Sequence, residues 1–267
     1  MNRTLLAGGC SFTFGHELSD DIKGQKPSEN SWSALLAKTE KLEYKSVAYP
    51  GSGNSGIARR IFEYITSPEY KNTVVVVMWT FTSRYDWAMP RNTMLEKSRW
   101  TSITPWDTTD RQVEAETSFS VNEAHLVTWK QRRDNMQLTG VGPFADALYR
   151  YAANQYHETY LSWKSIVWLQ NILEKKKIPY FFTLADNVLF YDELKPLKEI
   201  DTFLNGLYNE INFNNWFFFG ERNMGFNQWA LLNNYPRGTT HPLDDAHKDA
   251  AMLMKDKFSA IIKQNRR

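Results

Sequence analysis

The sequence predicts an α/β fold, a three-layer sandwich built on a mostly parallel sheet of about five strands. Short apolar segments alternate along the chain with segments of helical spacing. The clearest strand, Thr73–Met78, is apolar on both faces, which is typical of a central parallel strand covered by helices on each side. Glycine-containing turns follow the first two strands, at the sheet edge where such proteins bind ligands.

The elements before residue 84 follow from apolar spacing and from turn residues. Gly8-Gly9 ends the first strand, and Pro50-Gly51 ends the second. Isoleucines that recur every four residues after Asn54 predict one buried helix face. In order, we predict a strand at Thr4–Ala7, a helix over Ser31–Ala37, a strand at Tyr44–Tyr49, a helix that begins at Asn54 and a strand at Thr73–Met78.

Residues 84–142 show no clear periodicity and are far longer than a usual connection of roughly four to six residues. We interpret them as an aromatic-rich insertion into a single domain that spans residues 1–267. After it, the pattern predicts one long helix or two joined ones over Phe144–Lys177, a strand at Tyr180–Ala185, a fifth strand at Asn215–Phe219 and a terminal helix over Asp244–Ile262.

The composition is that of a globular protein, with 42% hydrophobic and 23% charged residues. A net charge of +2 without a long basic run argues against a nucleic-acid partner. The single Cys excludes a disulfide framework and a thiolate zinc cage. No stretch approaches the roughly 18 apolar residues of a membrane span, and the N-terminus does not resemble a signal peptide. We therefore expect a protein made in the cytoplasm, with no membrane partner.

The first strand delivers a hydroxyl into a tight turn. Ser11 follows Gly9-Cys10, and a helix is expected to begin there, so that backbone N–H groups and the helix dipole favour developing negative charge. A Ser at this place is either a nucleophile or a cap of the short helix. The residues alone leave both interpretations open.

Two further turns complete a constellation. Gly51 and Gly53 follow the second strand; their N–H groups either face the same pocket or merely serve a turn that requires positive φ. His241 precedes the terminal helix and is placed to accept the proton of Ser11, unless it is a loop histidine bonded to backbone. His247, one turn into that helix, is expected to hold the helix in place.

These three turns, in this order, resemble the conserved-block pattern of the SGNH (GDSL-like) hydrolase superfamily. Gly9-Cys10-Ser11 resembles its Gly-Asp-Ser block, Gly51 its second-block glycine, and His241-Pro242 the end of its Asp-x-x-His-Pro block. The resemblance implies a flavodoxin-like sheet, Ser11 as nucleophile, His241 as base, and an oxyanion hole that includes the N–H groups of Ser11 and Gly51. The string Gly-Cys-Ser-Phe-Thr-Phe-Gly is also similar to SGNH-like proteins of large tailed bacteriophages.

The chain departs from this pattern at two places. Gly238 stands where the family has its Asp, so either a backbone carbonyl or Asp186, at the end of the fourth strand, is expected to orient His241, or else activity is reduced. The third block, Gly-x-Asn-Asp, is replaced by the segment 79–84. There we expect the hydroxyl of Thr80 or Ser83 to replace the Asn amide as an oxyanion donor.

Two residues are expected to contact substrate: Asn54, and Arg84 through an anionic group. The sequence therefore indicates a serine esterase without cofactor, acting on a small ester or an O-acetylated carbohydrate. The carbohydrate preference rests on Trp87, Trp100, Trp106 and Trp129, whose flat faces suit sugar stacking.

Two other interpretations remain open at this stage. The altered blocks also suit an inactive binding or structural module, for example a phage virion component or another homo-oligomeric assembly. A weaker alternative makes His241, Asp244, Asp245 and His247 a metal site, although no further ligand cluster supports it.

Overall fold

The computed structural model describes residues 3–22, 24–70, 72–89, 100–111, 134–190 and 201–264. The strands are β1 (Thr4–Gly8), β2 (Glu43–Ser46), β3 (Thr73–Trp79), β4 (Tyr85–Ala88), β5 (Trp100–Ile103) and β6 (Tyr180–Leu184). The helices are α1 (Ser11–Phe14), α2 (Trp32–Thr39), α3 (Asn54–Ile65), α4 (Val141–Tyr151), α5 (Gln155–Lys175), α6 (Thr202–Asn209), α7 (Phe226–Leu232) and α8 (Asp244–Gln264).

The main sheet confirms the predicted α/β fold. Its four described strands are all parallel, in the order β2-β1-β3-β6. Every residue of β1, β3 and β6 is buried, as the two-sided apolar pattern of β3 predicted. Because all four strands run in the same direction, the turns that follow them meet at one edge of the sheet.

Helices cover both faces of this sheet. Along β3, Val74 and Val76 pack into the core shared with α2 and α8, whereas Val75 and Val77 pack into the core shared with α3 and α5. This alternation follows from the period of two along a strand. The long helical pattern after residue 144 is two helices, since Asn154 accepts a hydrogen bond from the His157 N–H and begins α5.

The predicted fifth strand at Asn215–Phe219 is reduced to one parallel bridge between Trp216 and Phe182. Phe213–Asn215 forms a turn of 3₁₀ helix immediately before the bridge. Beyond it, the Phe219 N–H donates to the Met224 carbonyl oxygen instead of to the sheet. The chain therefore follows the sheet edge too briefly to form a strand.

The described part of the predicted insertion packs onto the domain as a small layer. β4 and β5 form an antiparallel hairpin whose Tyr85 and Ile103 share a core with α4. Arg59 of α3 holds Asp86 of β4 through two hydrogen bonds of 2.7 and 3.1 Å. Residues 90–99 and 112–133 of the insertion, Trp129 among them, lie outside the described residues.

Candidate active site

Ser11 lies where β1 gives way to α1, at the carboxyl edge of the sheet. The turn needs glycine at position 9, because a Cβ there would lie 2.1 Å from Thr13 Oγ1 and 3.3 Å from the Met78 carbonyl oxygen. This close approach lets the chain turn sharply beside β3. Ser11 is 6% exposed, so its hydroxyl is largely removed from bulk water.

His241 meets Ser11 from the other end of the chain. Its Nε2 lies 2.7 Å from Ser11 Oγ, and the residue is 8% exposed. The loop that carries it is fixed by a hydrogen bond from the Gly238 N–H to the His241 carbonyl oxygen. The Phe12 ring, 4.9 Å from the imidazole between ring centroids, closes one side. The two residues chosen from the sequence as nucleophile and base are therefore in hydrogen-bond contact.

Glu17 supplies the carboxylate that the sequence interpretation lacked. Its Oε2 lies 2.8 Å from His241 Nδ1, and Thr240 Oγ1 lies 2.8 Å from the same nitrogen. Because a carboxylate only accepts hydrogen bonds, Nδ1 carries the proton and Nε2 is left to accept the proton of Ser11. Three residues therefore form a continuous hydrogen-bonded chain, with the oxygens and nitrogens in the order of a catalytic triad.

The Glu17 carboxylate is held firmly by backbone. Oε1 accepts from the Thr239 N–H at 2.9 Å, and Oε2 accepts from the N–H groups of Thr240 and His241 at 3.0 and 2.9 Å. The Glu17 backbone has φ of 69°, in the left-handed region that residues with a Cβ seldom adopt. Backbone strain of this kind collects at functional sites, where the surroundings hold it in place.

Gly238 explains how Glu17 reaches the imidazole. A Cβ on Gly238 would lie 2.9 Å from Glu17 Cδ and 3.0 Å from its Oε2. The position at which the family pattern has its Asp therefore faces the carboxylate of Glu17, and the missing side chain leaves it room.

The expected orienting residue, Asp186, is wrong for this role. Its carboxylate accepts hydrogen bonds from the Val188 N–H at 3.1 Å and the Asn227 amide at 3.4 Å. Those contacts fix the turn after β6 and the start of α7. The alternative of a backbone carbonyl fails as well, since Glu17 occupies His241 Nδ1.

Burial and hydrogen bonds act in opposite directions on the two titratable groups. Burial alone would raise the pKa of Glu17, but hydrogen bonds from the Thr240 N–H and from His241 outweigh it and lower that pKa to about 2. Burial lowers the pKa of His241 below its ordinary value, and the Glu17 carboxylate offsets part of this. At neutral pH the pair is therefore a carboxylate and a neutral imidazole, which is the form a general base requires.

The turn after β2 lies near the end of β1, since the Tyr49 N–H donates to the Gly9 carbonyl oxygen at 3.1 Å. Across the described residues, neither the N–H of Ser11 nor that of Gly51 donates to a protein acceptor. Gly51 has φ of 78°, so the turn after β2 requires glycine at this position. Their role as oxyanion donors, which the resemblance implied, stays a prediction.

Two further side chains, those of Thr80 and Ser83, were expected near the oxyanion. The Thr80 hydroxyl donates to Cys10 Sγ at 3.2 Å, which uses its only proton. The Ser83 carbonyl oxygen accepts a hydrogen bond from Tyr149 Oη at 2.6 Å; this contact does not involve the Ser83 hydroxyl. The expectation for Thr80 is therefore wrong, whereas the role of the Ser83 hydroxyl stays a prediction.

Asn54 is a structural residue, contrary to the expected contact with substrate. Its Oδ1 accepts from the Thr80 N–H at 2.8 Å, and its Nδ2 donates to the Thr80 carbonyl oxygen and to Ser162 Oγ at 3.1 and 3.0 Å. Both amide protons are used, and the side chain is buried. It joins the start of α3 to the end of β3 and to α5.

Arg84 lies at the rim of the same site. Its guanidinium carbon lies 4.5 Å from the centroid of the Phe81 ring, and its Nη1 donates to Thr80 Oγ1 at 3.3 Å. Its charge also contributes to the lowered pKa of His241, although burial is the larger cause. The side chain is half-buried.

The metal alternative finds no support in the described part of the chain. His241 is bonded to Ser11 and Glu17, whereas Asp244 accepts from Ser19 Oγ at 2.6 Å. Among the residues that the structure describes, no group of three or more His, Cys, Asp and Glu side chains is arranged to hold a metal ion.

His247 holds the terminal helix, as the sequence suggested. Its Nδ1 accepts the Trp32 N–H at 3.1 Å and so ties α8 to the first residue of α2. Complete burial lowers the pKa of His247 to about 3. It is a neutral, structural histidine.

No protein-family model matches the chain, and no curated protein matches it in sequence. Its structural neighbours are GDSL-type lipolytic proteins and esterases. A member of the lipolytic protein G-D-S-L family from Veillonella parvula has 11% identity and a TM-score of 0.45, over 96% of this chain and 98% of that one.

Two further neighbours are esterases by name. The psychrotrophic esterase EstA from Pseudoalteromonas sp. has 12% identity and a TM-score of 0.44, over 98% of each chain. The acetyl xylan esterase Est2A from the rumen bacterium Butyrivibrio proteoclasticus has 10% identity and a TM-score of 0.43, over 98% of this chain and 64% of its own. At these identities the likeness is one of fold and does not extend to the chemistry of this chain.

The structure also bears on a membrane partner. Within the described ranges, no helix combines the length and the apolar character that crossing a bilayer requires.

Proposed function

We propose that this protein is a serine esterase that hydrolyses small carboxylic esters with Ser11 as nucleophile. One observation carries the proposal: hydrogen bonds of 2.7 and 2.8 Å link Ser11 Oγ to His241 Nε2 and His241 Nδ1 to Glu17 Oε2. Glu17 fixes the tautomer that leaves Nε2 as an acceptor, and burial keeps the imidazole neutral.

The chemistry proceeds in two halves. Ser11 Oγ attacks the ester carbonyl while His241 Nε2 takes its proton, and the N–H groups of Ser11 and Gly51 stabilise the oxyanion. The imidazolium then protonates the departing alkoxide, which leaves an acyl group on Ser11. Water, deprotonated by His241, attacks that acyl group; the bond to Ser11 Oγ breaks, Oγ takes the proton back from the imidazolium, and the carboxylic acid is released. Glu17 stabilises the imidazolium in both halves.

Exposed tryptophans on the insertion make an acetylated carbohydrate a substrate class to test, although each ring already lies against Arg59, Arg111 or Phe144. Trp87, Trp100 and Trp106, all on the described part of the insertion, are 42–49% exposed. Tryptophan faces suit stacking against sugar rings. We therefore include an O-acetyl ester of a sugar among the substrates to be tried first.

The test is hydrolysis of 4-nitrophenyl acetate by the purified protein and by Ser11→Ala. We expect the variant to fold and to lose turnover by about a thousandfold or more, because removing a nucleophile removes the acyl-enzyme route. Ser165→Ala is the matched control, since among the described residues that buried hydroxyl bonds only to the Leu161 carbonyl oxygen in its own helix. Equal rates for the protein and Ser11→Ala would reject the proposal and favour a binding module on the same fold.

A further inference from the structure

Arg84 is a charged side chain at the site that the triad does not use. In the part of the chain that the structure describes, no carboxylate lies within ion-pair distance of its guanidinium. Neighbouring carboxylates are already committed: Asp86 is held by Arg59, and Glu17 is held by His241. A half-buried guanidinium without a counter-charge is poorly solvated, so binding an anion there is favourable.

The position of Arg84 is set by three close contacts. The backbone passes so near the second turn that a Cβ on Gly53 would lie 2.2 Å from the Arg84 carbonyl oxygen. Stacking on Phe81 and the hydrogen bond to Thr80 Oγ1 then orient the guanidinium. Arg84 is thus fixed against the turn that also carries Gly51, one of the proposed oxyanion donors.

Aromatic contacts connect this place to His241, the proposed general base. The Phe81 ring, on which the guanidinium stacks, lies 6.5 Å from the Phe12 ring between centroids, and Phe12 lies 4.9 Å from the His241 ring. A shorter path also exists, because Thr80 Oγ1, which accepts from Arg84, contacts Sγ of Cys10, the residue before Ser11. Toward the described residues the guanidinium donates one hydrogen bond, to Thr80 Oγ1, so further N–H donors remain for a bound carboxylate.

We propose that Arg84 is a specificity-determining residue that selects esters bearing a carboxylate close to the scissile bond. This proposal rests on the proposed esterase function. The substrate class it names is an acyl ester of an acidic alcohol, such as an acetylated uronic acid, or a monoester of a dicarboxylic acid. Arginine pairs with carboxylates through two parallel N–H···O bonds, which gives selectivity for charge and for geometry.

The experiment compares charged and neutral forms of the same ester. On the alcohol side the pair is 4-acetoxybenzoate and its methyl ester; on the acyl side it is mono-4-nitrophenyl adipate and its methyl ester. For each pair, kcat/KM is measured with the unmodified protein, Arg84→Met and Arg84→Lys. Arg150→Met is the control, because it removes the same charge from the exposed side of α4. Each ester is judged by the kcat/KM of the variant divided by the kcat/KM of the unmodified protein, because this ratio removes differences in leaving group between esters.

We expect Arg84→Met to lower kcat/KM for the charged member of at least one pair by roughly ten- to a hundredfold, the range for a hydrogen bond to a charged group. The neutral member should change less than about threefold, and added salt should weaken the charged reaction of the unmodified protein. Arg84→Lys, which keeps the charge but loses the fork, should lie between the two.

Two results would overturn the proposal while leaving the esterase function intact. Equal losses on charged and neutral esters would make Arg84 an oxyanion donor or a structural residue instead. Unchanged rates on all four esters would show that the guanidinium contacts no substrate. If the unmodified protein hydrolyses none of them and does not differ from Ser11→Ala, the esterase function fails, and the selectivity fails with it.

Discussion

Replacing Glu17 by Gln tests how His241, the proposed general base, is oriented. Among the described residues, Oε2 of Glu17 faces four donors, the N–H groups of Thr240 and His241, the Thr240 hydroxyl and the imidazole Nδ1–H, whereas Oε1 faces the Thr239 N–H alone. The single carbonyl oxygen of Gln is therefore expected at the Oε2 position. This keeps the proton on Nδ1 and removes only the negative charge.

The size of the effect follows from that geometry. The imidazolium formed when Ser11 is deprotonated loses a charge-assisted hydrogen bond, a contact worth about 1.5–3 kcal/mol. The rate should fall by roughly ten- to a hundredfold, less than expected where an amide enforces the wrong tautomer. Because the Glu17 carboxylate raises the pKa of His241, its removal should also move the acid limb of kcat/KM to lower pH.

The assay is kcat/KM for 4-nitrophenyl acetate between pH 4 and 9, with circular dichroism to confirm folding. Asp186→Asn is the matched carboxylate-to-amide control, since Asp186 bonds to Val188 and Asn227 rather than to His241. A full rate for Glu17→Gln would refute the reasoning. So would a loss on Asp186→Asn at least as large as that on Glu17→Gln.

Three further outcomes are expected. His241→Ala should lower turnover by at least about a hundredfold, whereas His247→Ala should chiefly lower the melting temperature. A larger loss of turnover in His247→Ala than in His241→Ala would show that His241 is not the base. In the unmodified protein kcat/KM should rise with pH through the lowered pKa of His241, with a midpoint below pH 6.5, and a midpoint above 7 would contradict the burial argument. Gly238→Asp alone should lower the rate by crowding Glu17. The double variant Gly238→Asp, Glu17→Ala should have a higher kcat/KM than Glu17→Ala alone, and an equal or lower value would contradict this.

The sequence predicted the sheet and the place of Ser11 for a common physical reason. Parallel strands deliver their following turns to one edge, which places Ser11 after β1 there, whereas the pairing of His241 with Ser11 was what the family resemblance implied. Their separation of 230 residues along the chain does not obscure this, because each lies next to an element with a clear apolar pattern. The fold class was predictable from the same patterns.

Glu17 could not be found in this way. It lies in a loop after the single turn of α1, with a left-handed backbone that no periodicity predicts. The one available signal was an acidic residue six positions after Ser11 combined with a Gly at 238. That pairing has meaning only once the two loops are known to touch, since a Cβ on Gly238 would lie 2.9 Å from Glu17 Cδ.

Side chains at β3 were predicted less well because polar groups can serve backbone as readily as substrate. Asn54 and Thr80 were expected in the pocket, yet each gives its protons to neighbouring protein groups. Buried polar atoms need partners, and here the nearest partners are the end of β3 and the residue before the nucleophile. A sequence shows the donors but not which acceptors lie beside them.

The proposed esterase activity depends most directly on whether Ser11 is an activated nucleophile. The measurement is intact-protein mass spectrometry after treatment with a fluorophosphonate, followed by peptide mapping of the modified residue. We predict one phosphonyl adduct, located on Ser11, that is absent in Ser11→Ala and forms far more slowly in His241→Ala. An unmodified protein, or an adduct that persists in Ser11→Ala, would contradict the account.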